Sequence, residues 1–162
     1  MRNLTAGLLM LGLVALSAPA AAQSYRMSGF GGKVGYATPE DLDGTLTIGG
    51  HLDFERAGSR VHVLPSLMYW RVNDVSDLNP NLDLSYHFEP EGAVSPYLGA
   101  GLGVNRVSDD RENRSSDSNL GVNVFGGLRF PAVTSHAFAE GRYTMTEMSQ
   151  FAVLGGITFH NH

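Results

Sequence analysis

Residues 78–89 read LNPNLDLSYHFE. Leu78, Pro80, Leu82, Leu84, Tyr86 and Phe88 alternate with Asn79, Asn81, Asp83, Ser85, His87 and Glu89. Successive side chains of a strand point to opposite faces, so this segment is a strand with one apolar and one polar face. The alternation alone does not say which face points inward. A soluble barrel buries Leu82 and Leu84. A barrel in lipid turns them outward and encloses Asp83 and His87.

The same period recurs along the chain and predicts eight strands, over 28–37, 44–55, 60–71, 78–89, 94–106, 118–130, 136–146 and 149–160. No segment after Gln23 has a helical period. The apolar rows are clear in the second strand (Leu46, Ile48, Leu52, Phe54), the fifth (Leu98, Ala100, Leu102, Val104), the sixth (Leu120, Val122, Val124, Leu128, Phe130) and the eighth (Phe151, Val153, Ile157, Phe159). They are weaker in the first strand (Phe30, Val34, Tyr36) and the seventh (Ala137, Ala139, Tyr143, Met145). The third has two competing rows, Val61, Val63, Leu67, Tyr69 against Leu64, Met68, Trp70. Placing its odd residues outward puts His62 and Ser66 inside.

Three features favour the apolar face outward. Gly99, Gly101 and Gly103 all fall on the polar face of one strand. On a solvated exterior they only weaken it, whereas inside a narrow barrel they make room for a large neighbour such as Arg129 or Tyr97. Next, the aromatics sort by height. Phe30, Phe54, Phe88, Phe130 and Phe159 share one end, and Tyr36, Tyr69, Trp70, Tyr143 and Phe151 the other, as two lipid–water interfaces favour. Finally, RAGS, PEGAVS and PAVTS read as short turns at the first end, where both termini also lie. PEDLDG, VNDVSD and VSDDRENRSSDS read as longer loops at the second. The apolar-in alternative is a secreted, lipocalin-like ligand-binding barrel.

Composition agrees with export. MRNLTAGLLMLGLVALSAPAAAQ has a cationic start at Arg2, a short apolar core over Leu8–Leu16 and the small-residue run Ala20-Ala21-Ala22. These mark residues 1–22 as a cleaved signal peptide and residues 23–162 as one domain. No other stretch approaches the ~20 apolar residues of a spanning helix, so a membrane form of this chain is a closed sheet. The net charge of -5 argues against a nucleic-acid partner. The chain has no cysteine, hence no disulfide, thiolate metal site or thiol nucleophile.

With its signal segment, PSLMYW in the third strand, SPYLGAGLGVN in the fifth, AFAEGRYTM in the seventh and FAVLGGITF at the end, the chain resembles the small eight-stranded bacterial outer-membrane barrels of the OmpA/OmpX and opacity-protein type. The resemblance implies an all-β, antiparallel up-and-down transmembrane barrel in the outer membrane. It implies a monomer whose partners are outer-membrane lipid and the barrel-assembly machinery. The last strand, ending in Phe159, looks like the signal which that machinery reads, although His160-Asn161-His162 follow it.

The candidate interior charge network is Lys33, Asp53, Glu55, Asp83, Arg129, Glu140 and Arg142. Unpaired charges are costly in a narrow interior, so these are expected to pair across strands and plug it. An ion path or gate is the alternative, giving a narrow channel. Arg71, Arg106, Arg111 and Arg114 are candidates for the outer rim, where guanidinium groups engage lipid phosphates. The hydrophilic stretch 107–118 is a candidate surface contact. GAGLGV at 99–104 resembles a dinucleotide loop, but its glycines alternate along a strand and no helix follows. No cofactor, metal or catalytic residue is expected. Some outer-membrane barrels modify lipids with Ser, His and a carboxylate, and the histidines are the residues that would carry this chemistry here. Ser135 and His136 point to opposite faces, and His136 and Glu140 lie ~13 Å apart along a strand. A set built across strands, His62 with Ser66 or Ser85, stays open. The reading is an outer-membrane barrel, not an enzyme, with a structural or surface-interaction role.

Overall fold

The computed structural model describes residues 25–73, 75–88, 94–109 and 115–161. The predicted signal peptide, Arg111, Arg114 and His162 lie outside the described residues. Eight strands follow one another: β1 Tyr25–Pro39, β2 Thr45–Arg56, β3 Val61–Val72, β4 Val75–His87, β5 Ser95–Asp109, β6 Ser115–Pro131, β7 Ser135–Met145 and β8 Gln150–His160. Each pairs antiparallel with its sequence neighbours, and β8 returns to β1, closing the barrel. Closure pairs the ladder groups that a free edge leaves open, which is what lets a sheet cross lipid. One irregularity interrupts the β1–β2 register, between Met27 and Gly29.

The apolar rows face outward. Phe30, Val34, Tyr36, Leu46, Ile48, Leu82, Leu84, Leu98, Leu102, Leu120, Val124, Val153 and Ile157 are all exposed. Thr47, Asp53, His62, Asp83, Asn123, Glu140, Arg142 and Thr158 are buried. A water-soluble fold would reverse this arrangement. The expected parity of β3 holds: Leu67 and Tyr69 are outside, while His62, Met68 and Trp70 are inside.

Trp70 departs from the girdle expected at the end away from the termini. It is only 3 % exposed and packs inside with Ala37, Met68, Ala152 and Leu154, under Leu42, Val72, Val75 and Met148. Tyr36, Tyr69, Tyr143 and Phe151 do face out at that end. At the other end Phe30 and Phe159 touch, ring centroids 5.9 Å apart, as do Tyr86 and Phe88 at 5.0 Å.

The expected contrast of loop length is absent among the described connections: 57–60 and 132–134 sit at the terminus end, and 40–44 and 146–149 at the other. Two of the three polar segments read as long loops are partly paired strand: Val75–Asp77 belongs to β4, and Val107–Asp109 pairs with Ser115–Asp117. Such short, mostly polar pieces of strand carry too few apolar residues to show an alternation. The asymmetry lies instead in the wall. β6 pairs with β5 from Ser115 onward, but with β7 only from Val122, so β6 rises past β7, while Val75 of β4 stays in register with Asp109 at the end of β5.

Inward glycines fit large partners, though not the ones expected. A methyl group at Gly99 would strike the Phe125 ring, one at Gly101 the Asp83 carboxylate, and one at Gly103 the Asn81 amide. Only at Gly127 is Tyr97 the neighbour, its hydroxyl 2.7 Å from such a methyl.

Candidate functional site

The interior is the one region of the described residues where charged and polar side chains converge. The inward rows of β4 to β7 supply most of them. At mid-height, Asp83 on β4 and Glu140 and Arg142 on β7 meet. Arg142 Nη1 lies 2.8 Å from Asp83 Oδ2, and its Nε donates to Glu140 Oε1 at 3.0 Å. The guanidinium also sits over the Phe125 ring, 4.4 Å from its centroid, a cation–π contact. Tyr97 donates its hydroxyl to the second Glu140 oxygen at 2.9 Å. Asn123 donates to Asn81 at 2.6 Å and to Asp83 at 3.2 Å, and Thr144 donates back to Asn123 at 2.9 Å. Both carboxylates are thus met by one cation and several donors, the condition under which buried charge is tolerated.

A second cluster lies nearer the termini. His62 Nδ1 is 2.7 Å from Asp53 Oδ1, and Arg129 is 3.7 Å from Asp53 Oδ2. The Arg129 guanidinium also approaches His87 Nε2 at 3.3 Å. His62 and His87 have ring centroids 4.2 Å apart, and His87 stacks on Tyr97 at 5.3 Å. At the mouth itself His136 Nδ1 and His160 Nε2 are 2.9 Å apart.

The candidate charge set therefore divides. Asp83, Glu140 and Arg142 form one group, and Asp53 and Arg129 another. Glu55 joins neither: it lies one residue from the end of β2 and pairs at 3.0 Å with the exposed Arg26. Lys33 is buried against the cavity that Asp83, Glu140 and Arg142 also line, without a direct ion pair among the described residues. That cavity has a volume of about 40 Å³. It has room for a few waters.

Arg71 and Arg106 face outward near the end away from the termini. Arg106 is in register with Leu78, and Leu78 with Tyr69, so both arginines stand at or beyond an exterior aromatic. Phe125 and Asn123 are not among the candidates that the sequence offers. Their only signal there is inward parity beside a glycine-bearing strand.

Serine chemistry finds a pair but not a triad. Ser85 Oγ lies 2.9 Å from His87 Nε2, whereas the only carboxylate on a histidine here, Asp53, holds His62. His87 Nδ1 has no partner among the described residues, so nothing orients that imidazole as a base. Nor is any group of three or more His, Cys, Asp or Glu placed to hold a metal ion among the described residues.

This interior and exterior match a known family. The model of the outer membrane protein beta-barrel domain matches residues 6–161. The chain belongs to that family. It is an outer-membrane protein, and the apolar exterior is its lipid-facing surface. Among solved structures it is similar to Neisserial surface protein A, with a TM-score of 0.71 and 16 % identity over 85 % of this chain and 99 % of that one. It is similar to the N-terminal β-barrel domain of Pseudomonas aeruginosa OprF, with 0.66 and 17 % over 83 % and 98 %. The outer membrane enzyme PagL gives 0.52 and 16 % over 80 % and 98 %. At these identities the likeness is one of fold. No curated protein matches the chain.

Proposed function

We propose that this outer-membrane barrel is a non-catalytic, non-conducting envelope protein that acts through its structure and its outward surface. The observation that carries the reading is Arg142 bridging Asp83 and Glu140 across the lumen, with about 40 Å³ left unfilled beside it. Eight strands leave an interior just wide enough for side chains, and here the side chains are locked to one another. In planar bilayers the purified protein gives no discrete conductance steps. Steps that persist at neutral pH and moderate voltage would replace this reading with that of a narrow channel.

The surface part of the proposal rests on two outward arginines, Arg71 of β3 and Arg106 of β5. Arg106 is level with the exterior Tyr69 and Arg71 lies two residues beyond it, and guanidinium groups bind phosphate in a bidentate way. Replacing both with Ala lowers co-purifying lipopolysaccharide. Unchanged lipopolysaccharide would remove these two residues from the account.

A lipid-modifying role is disfavoured by position. Ser85 is 1 % exposed and faces the lumen, on the far side of the wall from lipid. Ser85→Ala leaves lipid A acylation in whole cells unchanged.

A further inference from the structure

We infer that His136 and His160 form a two-imidazole site for a borderline divalent transition-metal ion, such as Zn²⁺ or Ni²⁺, at the terminus-side mouth of the lumen. The two residues come from adjacent strands. His136, the second residue of β7, is paired to Thr158, and β8 ends two residues after Thr158 at His160, so both rings project inward at the same end. Their nitrogens, Nδ1 of His136 and Nε2 of His160, converge to 2.9 Å. Without a metal, one ring donates N–H to the other. Two imidazole nitrogens on a tetrahedral zinc, each at about 2.0–2.1 Å, stand about 3.4 Å apart, so a small separation of the rings converts the hydrogen bond into a chelate.

The surroundings suit that change. His136 is 4 % exposed, whereas His160 is open to solvent, so the pair has a fixed member and an accessible one. Water can complete the coordination from the mouth. The backbone holds the accessible member in place: His160 N–H donates to Thr134 O at 3.0 Å, and Asn161 N–H to Ser28 O at 2.8 Å. The positive field of Arg129 is offset by Asp53, 3.7 Å from it. Two neutral nitrogen donors without a carboxylate prefer Zn²⁺, Ni²⁺ or Cu²⁺ to Ca²⁺ or Mg²⁺. A bound ion would tie β7 to β8 beside the seam where β8 closes on β1.

The test uses the whole mature chain folded in detergent and titrated with Zn²⁺ alone by calorimetry, and each variant's fold is checked by its heat-modifiable gel mobility. One ion binds per barrel. His136→Ala and His160→Ala each weaken binding at least tenfold, and His162→Ala in the adjoining tail leaves it unchanged. Zn²⁺ also raises the temperature at which the folded band is lost, in the parent protein but not in the double variant. Three results overturn the proposal: no saturable binding to the folded parent, binding unchanged in the folded double variant, or loss confined to His162→Ala.

Discussion

Asp83 and Leu84 are consecutive residues of β4 that lie on opposite sides of the barrel wall: Asp83 is 0 % exposed and Leu84 54 %. Asp83 ends on the Arg142 guanidinium in the lumen, and Leu84 ends in the lipid-facing row with Leu82 and Tyr86. One peptide bond thus separates the polar lumen from the apolar exterior. The account of this protein follows from which of the two points inward.

The lipid side of that boundary is testable by placing a charge on it. Leu84→Arg puts a cation between the two aromatic belts, and near the bilayer midplane such a charge costs about 2–4 kcal/mol. Guanidinium unfolding in lipid vesicles is expected to show a loss of that size. A loss below about 0.5 kcal/mol would place Leu84 away from hydrocarbon.

The lumen side depends on one cation serving two carboxylates. Arg142→Ala leaves Asp83 and Glu140 buried without it, and breaking a buried pair this way costs about 3–5 kcal/mol. Adding Asp83→Asn and Glu140→Gln removes the orphaned charges and recovers most of that loss. Denaturant midpoints of the single and triple variants measure both effects. A triple variant no more stable than the single one would mean that Arg142 acts by packing on Phe125 rather than by charge.

Glycine on the two faces is expected to behave in opposite ways. Gly101→Ala drives a methyl group into the Asp83 carboxylate and the Leu82 carbonyl, and such overpacking costs about 1–3 kcal/mol. Gly50→Ala points outward and meets only the Gly31 carbonyl, at 3.6 Å. It is expected to be neutral, or to stabilise by about 0.4–1 kcal/mol through the unfolded chain. Equal destabilisation by both would show that the inward contacts are not what selects glycine at Gly101.

Most of the barrel was legible because period-2 alternation and the two-faced strand are the same fact seen in one and in three dimensions. LNPNLDLSYHFE carried both faces of β4, and the parity of β3 followed once His62 was placed inside. Three things were not legible, each for a physical reason. Trp70 reads as an interfacial aromatic from its position near a strand end, but its inward parity puts it in the lumen with Met68 and Leu154. The outer ends of β5 and β6 are paired strand, but their polar sequence has the composition of a loop. The interior network was visible as a set of charges, but its division was not. Which carboxylate Arg142 reaches depends on register across strands. Glu55 leaves the set because the lumen opens to Arg26 at its level.

The orientation of the wall is most directly tested with site-specific labels, since the chain has no native cysteine to interfere. Leu84→Cys and Ser85→Cys, each spin-labelled in the folded protein in lipid vesicles, report on adjacent positions of β4. Oxygen dissolved in the bilayer is expected to relax the label at 84 strongly and the label at 85 weakly. The reverse, with the label at 85 in contact with lipid and the label at 84 shielded, would contradict the apolar-out barrel and the lumen network built on it.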